Sequence, residues 1–199
     1  LQVQAAAPHR PSIAGHLMEP VMRTLADHLS SYAAYHRDRR NLATHFVGVP
    51  MIVLAVAILL SRPPFELAGI TLSPAWLVVA ATLLFYLRLS AVYALAMTGV
   101  LGVALWAAHL TAPLSTAAWL AWGVGLFVVG WVIQFIGHAF EGRKPAFVDD
   151  LIGLLIGPLF LVAETAFALG LSPALRQQVI DRAGPMRSGP AVAQSAHSS

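Results

Sequence analysis

An apolar run from Ala117 to Gly137 ends on His138, and Glu141-Gly142-Arg143-Lys144-Pro145 follows at once. The run holds no charged residue. It is long enough to cross the ~30 Å of a bilayer's hydrocarbon as a helix, which satisfies its own backbone polar groups. A second apolar run, Phe46 to Leu60, has His45 at its leading edge, with Asn41 and His36 just upstream. An imidazole where a spanning helix meets water is costly unless it has a partner or a task.

Composition agrees with a membrane solvent. The 199 residues are 58% hydrophobic and 11% charged, where a soluble domain carries about 25% charged residues. Cysteine is absent, which excludes disulfides, thiolate metal sites and iron–sulfur clusters. The net charge of +3 does not point to nucleic acid, because the arginines fall in loops and tails, where they orient a membrane protein.

The expected fold is all-α, a polytopic membrane helical bundle. Val21, Leu25, Leu29, Tyr32 and His36 recur at spacings of three and four. They predict an amphipathic helix over Glu19 to Arg37, lying on the membrane surface. Asn41 is a plausible N-cap for a first span, Leu42 to Ser61. Pro74 to Leu87, Ala91 to Leu110 and Ser115 to Ala139 make three more. A fifth apolar segment, Phe147 to Leu171, contains Gly157-Pro158 and Glu164. It is expected to be broken or re-entrant there, because freed backbone groups must be met by protein. The domain plan is a flexible N-terminus (1–18), one membrane-embedded domain (19–172) and a cytoplasmic tail (173–199), disordered after Gly184, where the chain is too polar to pack.

Charge orders the loops. Arg37, Arg39 and Arg40 precede the first span, Arg88 follows the second, and Arg143 and Lys144 follow the fourth. Four spans put all of these on one side, the cytoplasm by the positive-inside bias, and leave Arg62 and His109 on the other. His36, Asn41, His45, His138, Glu141, Arg143, Lys144, Asp149 and Asp150 therefore share the cytoplasmic edge. The Ala-, Leu-, Arg- and Pro-rich usage points to a bacterial plasma membrane.

In one straight helix His36 and His45 would point to opposite sides at ~100° per residue. A break between Arg37 and Asn41 lets both turn toward one point. Gln134, His138 and Glu141 share a helix face. Three separate elements thus each offer an imidazole with an amide or carboxylate beside it, a set suited to a divalent first-row metal such as iron or zinc. His28 extends the stripe of Tyr32 and His36 as a further ligand candidate. Glu164 reads best as an orienter of a ligating imidazole. Arg143 and Lys144 read first as positive-inside residues, and second as a seat for a substrate carboxylate. His9, His16 and His197 lie in tails. Two other readings stay open on these residues alone: a carrier or channel with a histidine proton relay, favoured by the broken fifth segment, and a haem-binding electron-transfer protein with two axial histidines.

One grouping of motifs is longer than these. Tyr32-x3-His36-x4-Asn41-x3-His45-x2-Gly48-x-Pro50 is followed by Trp131-x2-Gln134-Phe135-x-Gly137-His138, then Glu141-Gly142-Arg143-Lys144-Pro145-Ala146, then Pro158-Leu159-Phe160 with Glu164. Together they resemble the membrane family of the yeast 2-hydroxy fatty acid dioxygenase of phytosphingosine breakdown, over residues 19–172. The resemblance implies Fe2+-dependent alpha-oxidation, in which a 2-hydroxy fatty acid and O2 yield an acid one carbon shorter. It implies His36, His45 and His138 as iron ligands and the lipid bilayer as the setting. Glu141 stands three residues after His138, where the family pattern has four, so no ligand role is carried over to it.

Overall fold

A computed structural model describes residues 23–145 and 151–187. Seven helices and one small hairpin make up the described chain: α1 (Leu25–Ala33), α2 (Arg39–Leu59), β1 (Phe65–Leu67), β2 (Ile70–Leu72), α3 (Pro74–Leu89), α4 (Ala91–Thr111), α5 (Thr116–Glu141), α6 (Gly153–Ala168) and α7 (Pro173–Ala183). The all-α membrane bundle holds. Three helices, α2, α4 and α5, are long and apolar enough to span; α3, at 16 residues, is shorter. Their outer faces present Val92, Leu95, Trp106 and Phe135, each more than half exposed, as a lipid-facing surface requires.

Helices α2 and α5 form the spine, and glycine sets their spacing. Gly123, Gly130 and Gly137 recur every seventh residue on the buried face of α5. A side chain at Gly130 would meet the Gly48 carbonyl at 3.0 Å, and one at Gly48 would meet the Gly130 carbonyl at 2.8 Å. At Gly137 a methyl would lie 2.0 Å from Thr44 Oγ1 and 2.6 Å from Asn41 Oδ1. Small residues let backbones approach in lipid, where packing rather than water exclusion drives helix association. The antiparallel pair thereby sets the start of α2 beside the end of α5, and so His45 beside His138.

The opposite end is closed by Arg62. Its guanidinium donates to the carbonyls of Ala112 and Leu114 and lies over the Trp119 ring. Trp119 donates its indole N–H to the Ile58 carbonyl at 2.8 Å. His109, in the last turn of α4, belongs to this end, away from His36, His45 and His138.

Several expectations are corrected. Helix α1 ends at Ala33, with a Thr24–Asp27 capping box at its start, so His36 sits beyond it in an irregular link. The residues of the expected helix before Arg23 lie outside the described chain. Its buried face (Leu29, Ala33) packs on α6 and α7 rather than lying on lipid. The N-cap of α2 is Asp38, whose carboxylate accepts from the Arg40 N–H; Asn41 falls in the first turn. Helix α6 runs through Gly157-Pro158 without a break. Proline removes the hydrogen bond to the carbonyl four residues before it, that of Leu154, and the neighbouring carbonyl, on Leu155, accepts the Tyr86 hydroxyl at 2.6 Å. The bend comes later, 117° between α6 and α7, at Gly170, which has positive φ.

The expected tail is part of the fold. Helix α7 buries Val179 and pairs Arg182 with Asp27 at 2.5 Å. Beyond it, Arg187 donates its N–H to the Arg37 carbonyl and accepts from the Arg39 N–H, while Arg37 donates to the Gly184 carbonyl. Residues 184–187 thus strap the link that carries His36, although their polarity argued against packing.

Glycine substitutions on α5 should separate by face. Gly137→Ala should lower stability by about 1–3 kcal/mol through overpacking. Gly125→Ala, where nothing lies within 4 Å, should be neutral or stabilising by up to ~1 kcal/mol through helix propensity. Thermal unfolding of both variants in detergent checks this.

Candidate metal centre

The three imidazoles meet. His36, His45 and His138 each offer a nitrogen, all within 4.8 Å of one another, and all three residues are buried. Ring centroids lie 4.3 Å apart for His36–His45, 5.0 Å for His36–His138 and 5.1 Å for His45–His138.

Hydrogen bonding decides which nitrogens are free. His36 Nδ1 lies 2.7 Å from the Tyr32 carbonyl and His45 Nδ1 2.8 Å from the Asn41 carbonyl. A carbonyl can only accept, so both Nδ1 atoms carry the proton and both Nε2 atoms keep a bare lone pair. Those two Nε2 atoms face each other at 2.9 Å. Two lone pairs at that distance repel unless a cation joins them. A proton could do so only by making one ring an imidazolium, and burial, followed by the nearness of His45, holds His36 well below its ordinary pKa. Two nitrogens bound at ~2.1 Å to one metal, and at right angles about it, stand about 3 Å apart. His138 adds an Nδ1 that is buried with no hydrogen-bond partner. The donor set fits a divalent metal ion with open positions.

The rings are held from behind. Tyr32 stacks on His36 at 4.1 Å with the planes 10° apart, and Gly157 leaves room for its hydroxyl, which a side chain there would meet at 2.9 Å. Asn41 presents its main-chain carbonyl to His45 and donates its amide to Glu141 at 3.2 Å. Glu141 is fully occupied as a tie: it also accepts from the Asp38 N–H at 2.7 Å and from the Arg187 guanidinium. It joins the end of α5, the link before α2 and the C-terminal strap, and is not among the converging groups. Arg187 is the functional residue that sequence reasoning missed, since nothing local marks an arginine after Gly184-Pro185 as structured.

Other candidates are placed as follows. Glu164 lies 3.8 Å from the Arg37 guanidinium, so it acts on the residue after His36 rather than on an imidazole. His28 packs edge-on to Phe85 and is not among the converging nitrogens. Arg143 donates to the Ala34 carbonyl at 3.1 Å, and is exposed with Lys144 at the rim. Asp149 and Asp150, like His9, His16 and His197, lie outside the described residues. Gln134 borders a cavity of about 70 Å³ together with His45, His138, Tyr32 and Trp131, and its Oε1 is buried without a partner.

Sequence comparison gives this arrangement a family. Residues 22–169 match the family described as "2-hydroxy-palmitic acid dioxygenase Mpo1-like", and the chain belongs to it. A relative, the 2-hydroxy-palmitic acid dioxygenase MPO1 of Saccharomyces cerevisiae, is 32% identical over 154 residues, covering 76% of this chain and 85% of the yeast protein. No solved structure matches the chain significantly.

Truncating the tie should loosen the centre from a distance. Arg187→Ala leaves the buried Glu141 carboxylate without its cation, a change that costs about 3–5 kcal/mol in a buried pair. The expected outcome is a lower melting temperature and faster loss of bound metal, with Arg187→Lys in between, read by thermal unfolding and by metal content after dialysis.

Proposed function

We propose that this chain is a non-haem iron dioxygenase that converts 2-hydroxy fatty acids and O2 to fatty acids one carbon shorter. The observation that carries the reading is the meeting of two bare Nε2 atoms and an orphaned Nδ1 at one buried point, in a chain of this family. His36, His45 and His138 would hold the metal. An Fe2+ ion held there would supply activation of O2 and a Lewis-acidic anchor for the substrate's head group.

The rest falls to the chain's own side chains. The carbonyls of Tyr32 and Asn41 keep protons on Nδ1 and so hold the Nε2 lone pairs toward the ion position. Tyr32 covers one face of His36 and shuts water from it. Gln134 Oε1, buried in the cavity wall and unpaired, is an acceptor suited to the substrate's 2-hydroxyl. Arg143 and Lys144, at the rim, are suited to drawing in the carboxylate by charge. The arginines of the imidazole end (Arg37, Arg39, Arg40, Arg143) support a cytoplasmic orientation of that end by the positive-inside bias, and the proposed setting is a bacterial plasma membrane. A haem reading is disfavoured by the ring spacing, since a porphyrin needs its axial imidazoles on opposite faces.

Protein purified anaerobically should carry about one iron per chain and consume O2 when given 2-hydroxypalmitate. His45→Ala should lose metal affinity by at least the ~10–100-fold that losing a ligand's orienting partner costs. Protein that holds no iron and takes up no oxygen refutes the proposal. Gln134→Leu tests the hydroxyl contact. Loss of that hydrogen bond should raise KM for the 2-hydroxy acid about tenfold, the ~1–3 kcal/mol range of an unmade buried bond. Metal content and the affinity for the unsubstituted fatty acid should stay unchanged.

A further inference from the structure

A second cavity, about 330 Å³, adjoins the small one beside the imidazoles. The two share Ile52, Val53, Trp131, Leu154 and Pro158 as common walls. The larger one is a partly open cleft along α2, lined from α3, α4, α5 and α6, with Val78, Phe127 and Leu154 on its exposed side and Ala57, Leu60, Ala75 and Ala104 at the end away from the imidazoles. Its lining is almost wholly hydrocarbon, and the Tyr86 hydroxyl on its wall is spent on the Leu155 carbonyl. Its far end is walled by alanines: Ala57, Ala75 and Ala104 are all buried. Small side chains there leave the space open, where leucine or phenylalanine would fill it.

We infer that this cavity takes the acyl tail of the substrate inside the protein, and that Ala57, Ala104 and Leu60 set the longest tail accepted. The inference rests on the dioxygenase reading for the identity of the head group. The walls it shares with the imidazole pocket and its hydrocarbon lining argue for the tail. From His45 to Leu60 is about 22 Å along α2 at 1.5 Å per residue. One leaflet's acyl chains fill about 15 Å, half of the hydrocarbon core. A tail as long as those of membrane lipids therefore fits between the ion position and the alanine floor. A tail that stops short of the floor leaves space unfilled and forfeits packing contacts, and one that overruns it must bend or be excluded.

Two measurements test this. The first is photo-crosslinking of the wild-type protein in detergent with fatty acids that carry a diazirine at the tail end or beside the carboxyl. The tail-end probe should label peptides around Ala57–Leu60 and Ala104, and the head-end probe those around Trp131. Labels spread over the lipid-facing residues Val92 and Leu95 would overturn the inference, because the tail would then lie outside the bundle. The second is turnover over a series of 2-hydroxy acids of increasing length. Ala57→Phe and Ala104→Phe should move the optimum to shorter acids by at least tenfold in relative kcat/KM, Leu60→Ala toward longer ones, and Val92→Phe not at all. An optimum that stays put in all four overturns the inference. Crosslinking needs neither iron nor turnover. Floor labelling without oxygen consumption defeats only the dioxygenase reading; turnover with labels on the lipid-facing surface defeats only the cavity.

Discussion

Two imidazoles that have both given their Nδ1 protons to main-chain carbonyls confront each other with bare nitrogens 2.9 Å apart. In water such a contact would relax by a ring flip or by proton uptake. Here the rings are stacked, buried and tethered, so neither escape is cheap. The carbonyl partners also fix the tautomer, the role that outer partners of metal-binding histidines generally play. Much of the surrounding structure can be understood as what is needed to keep that contact from relaxing: the Tyr32 ring over His36, the first turn of α2 behind His45, and the glycine face of α5 that brings His138 within reach.

The bundle supplies this precision where lipid offers little help. Helices in hydrocarbon gain nothing from excluding water between them, so their spacing has to come from packing and polar contacts. Gly48, Gly130 and Gly137 remove the side chains that would hold α2 and α5 apart. With backbone against backbone, sliding or rotation of one helix is resisted by Thr44, Ile52 and Leu59, which occupy the notches the glycines leave. Two of the three imidazoles are therefore mounted on one rigid pair.

Parts of this were legible in the sequence. The apolar runs declared the spanning helices, and histidines at the hydrocarbon edge stood out because polar side chains there need a reason. The break between His36 and His45 followed from helical geometry alone. Other parts were not legible. Pro158 looked like a helix breaker, but the Tyr86 hydroxyl, donated from α3 across more than sixty positions of sequence, meets the Leu155 carbonyl in the turn before the proline, and local reading cannot see that partner. Glu141 looked like a ligand or a ligand's neighbour because it shares a face with His138; its real partners, Asp38, Asn41 and Arg187, come from two distant stretches. The segment after Gly184 looked too polar to pack because its energy lies in main-chain bonds to Arg37 and Arg39, which no side-chain pattern encodes.

His36 is the exception that gives the C-terminal strap its importance. Unlike His45 and His138, it stands on neither spine helix but on an irregular link between α1 and α2, where no regular backbone ladder holds it. The hold comes instead from both sides: Tyr32 above the ring, and below it a lattice in which Arg187 bridges the Arg37–Arg39 backbone to Glu141 at the end of α5. Because Glu141 is three residues from His138, the same carboxylate that anchors the link of one imidazole also sits on the helix of another. The strap therefore contacts both the link that carries His36 and the helix that carries His138. Two imidazoles are held by helix packing and the third by a tie among residues 37–39, 141 and 187, so the packing of α1 and α7 and the geometry of the three-imidazole cluster are coupled.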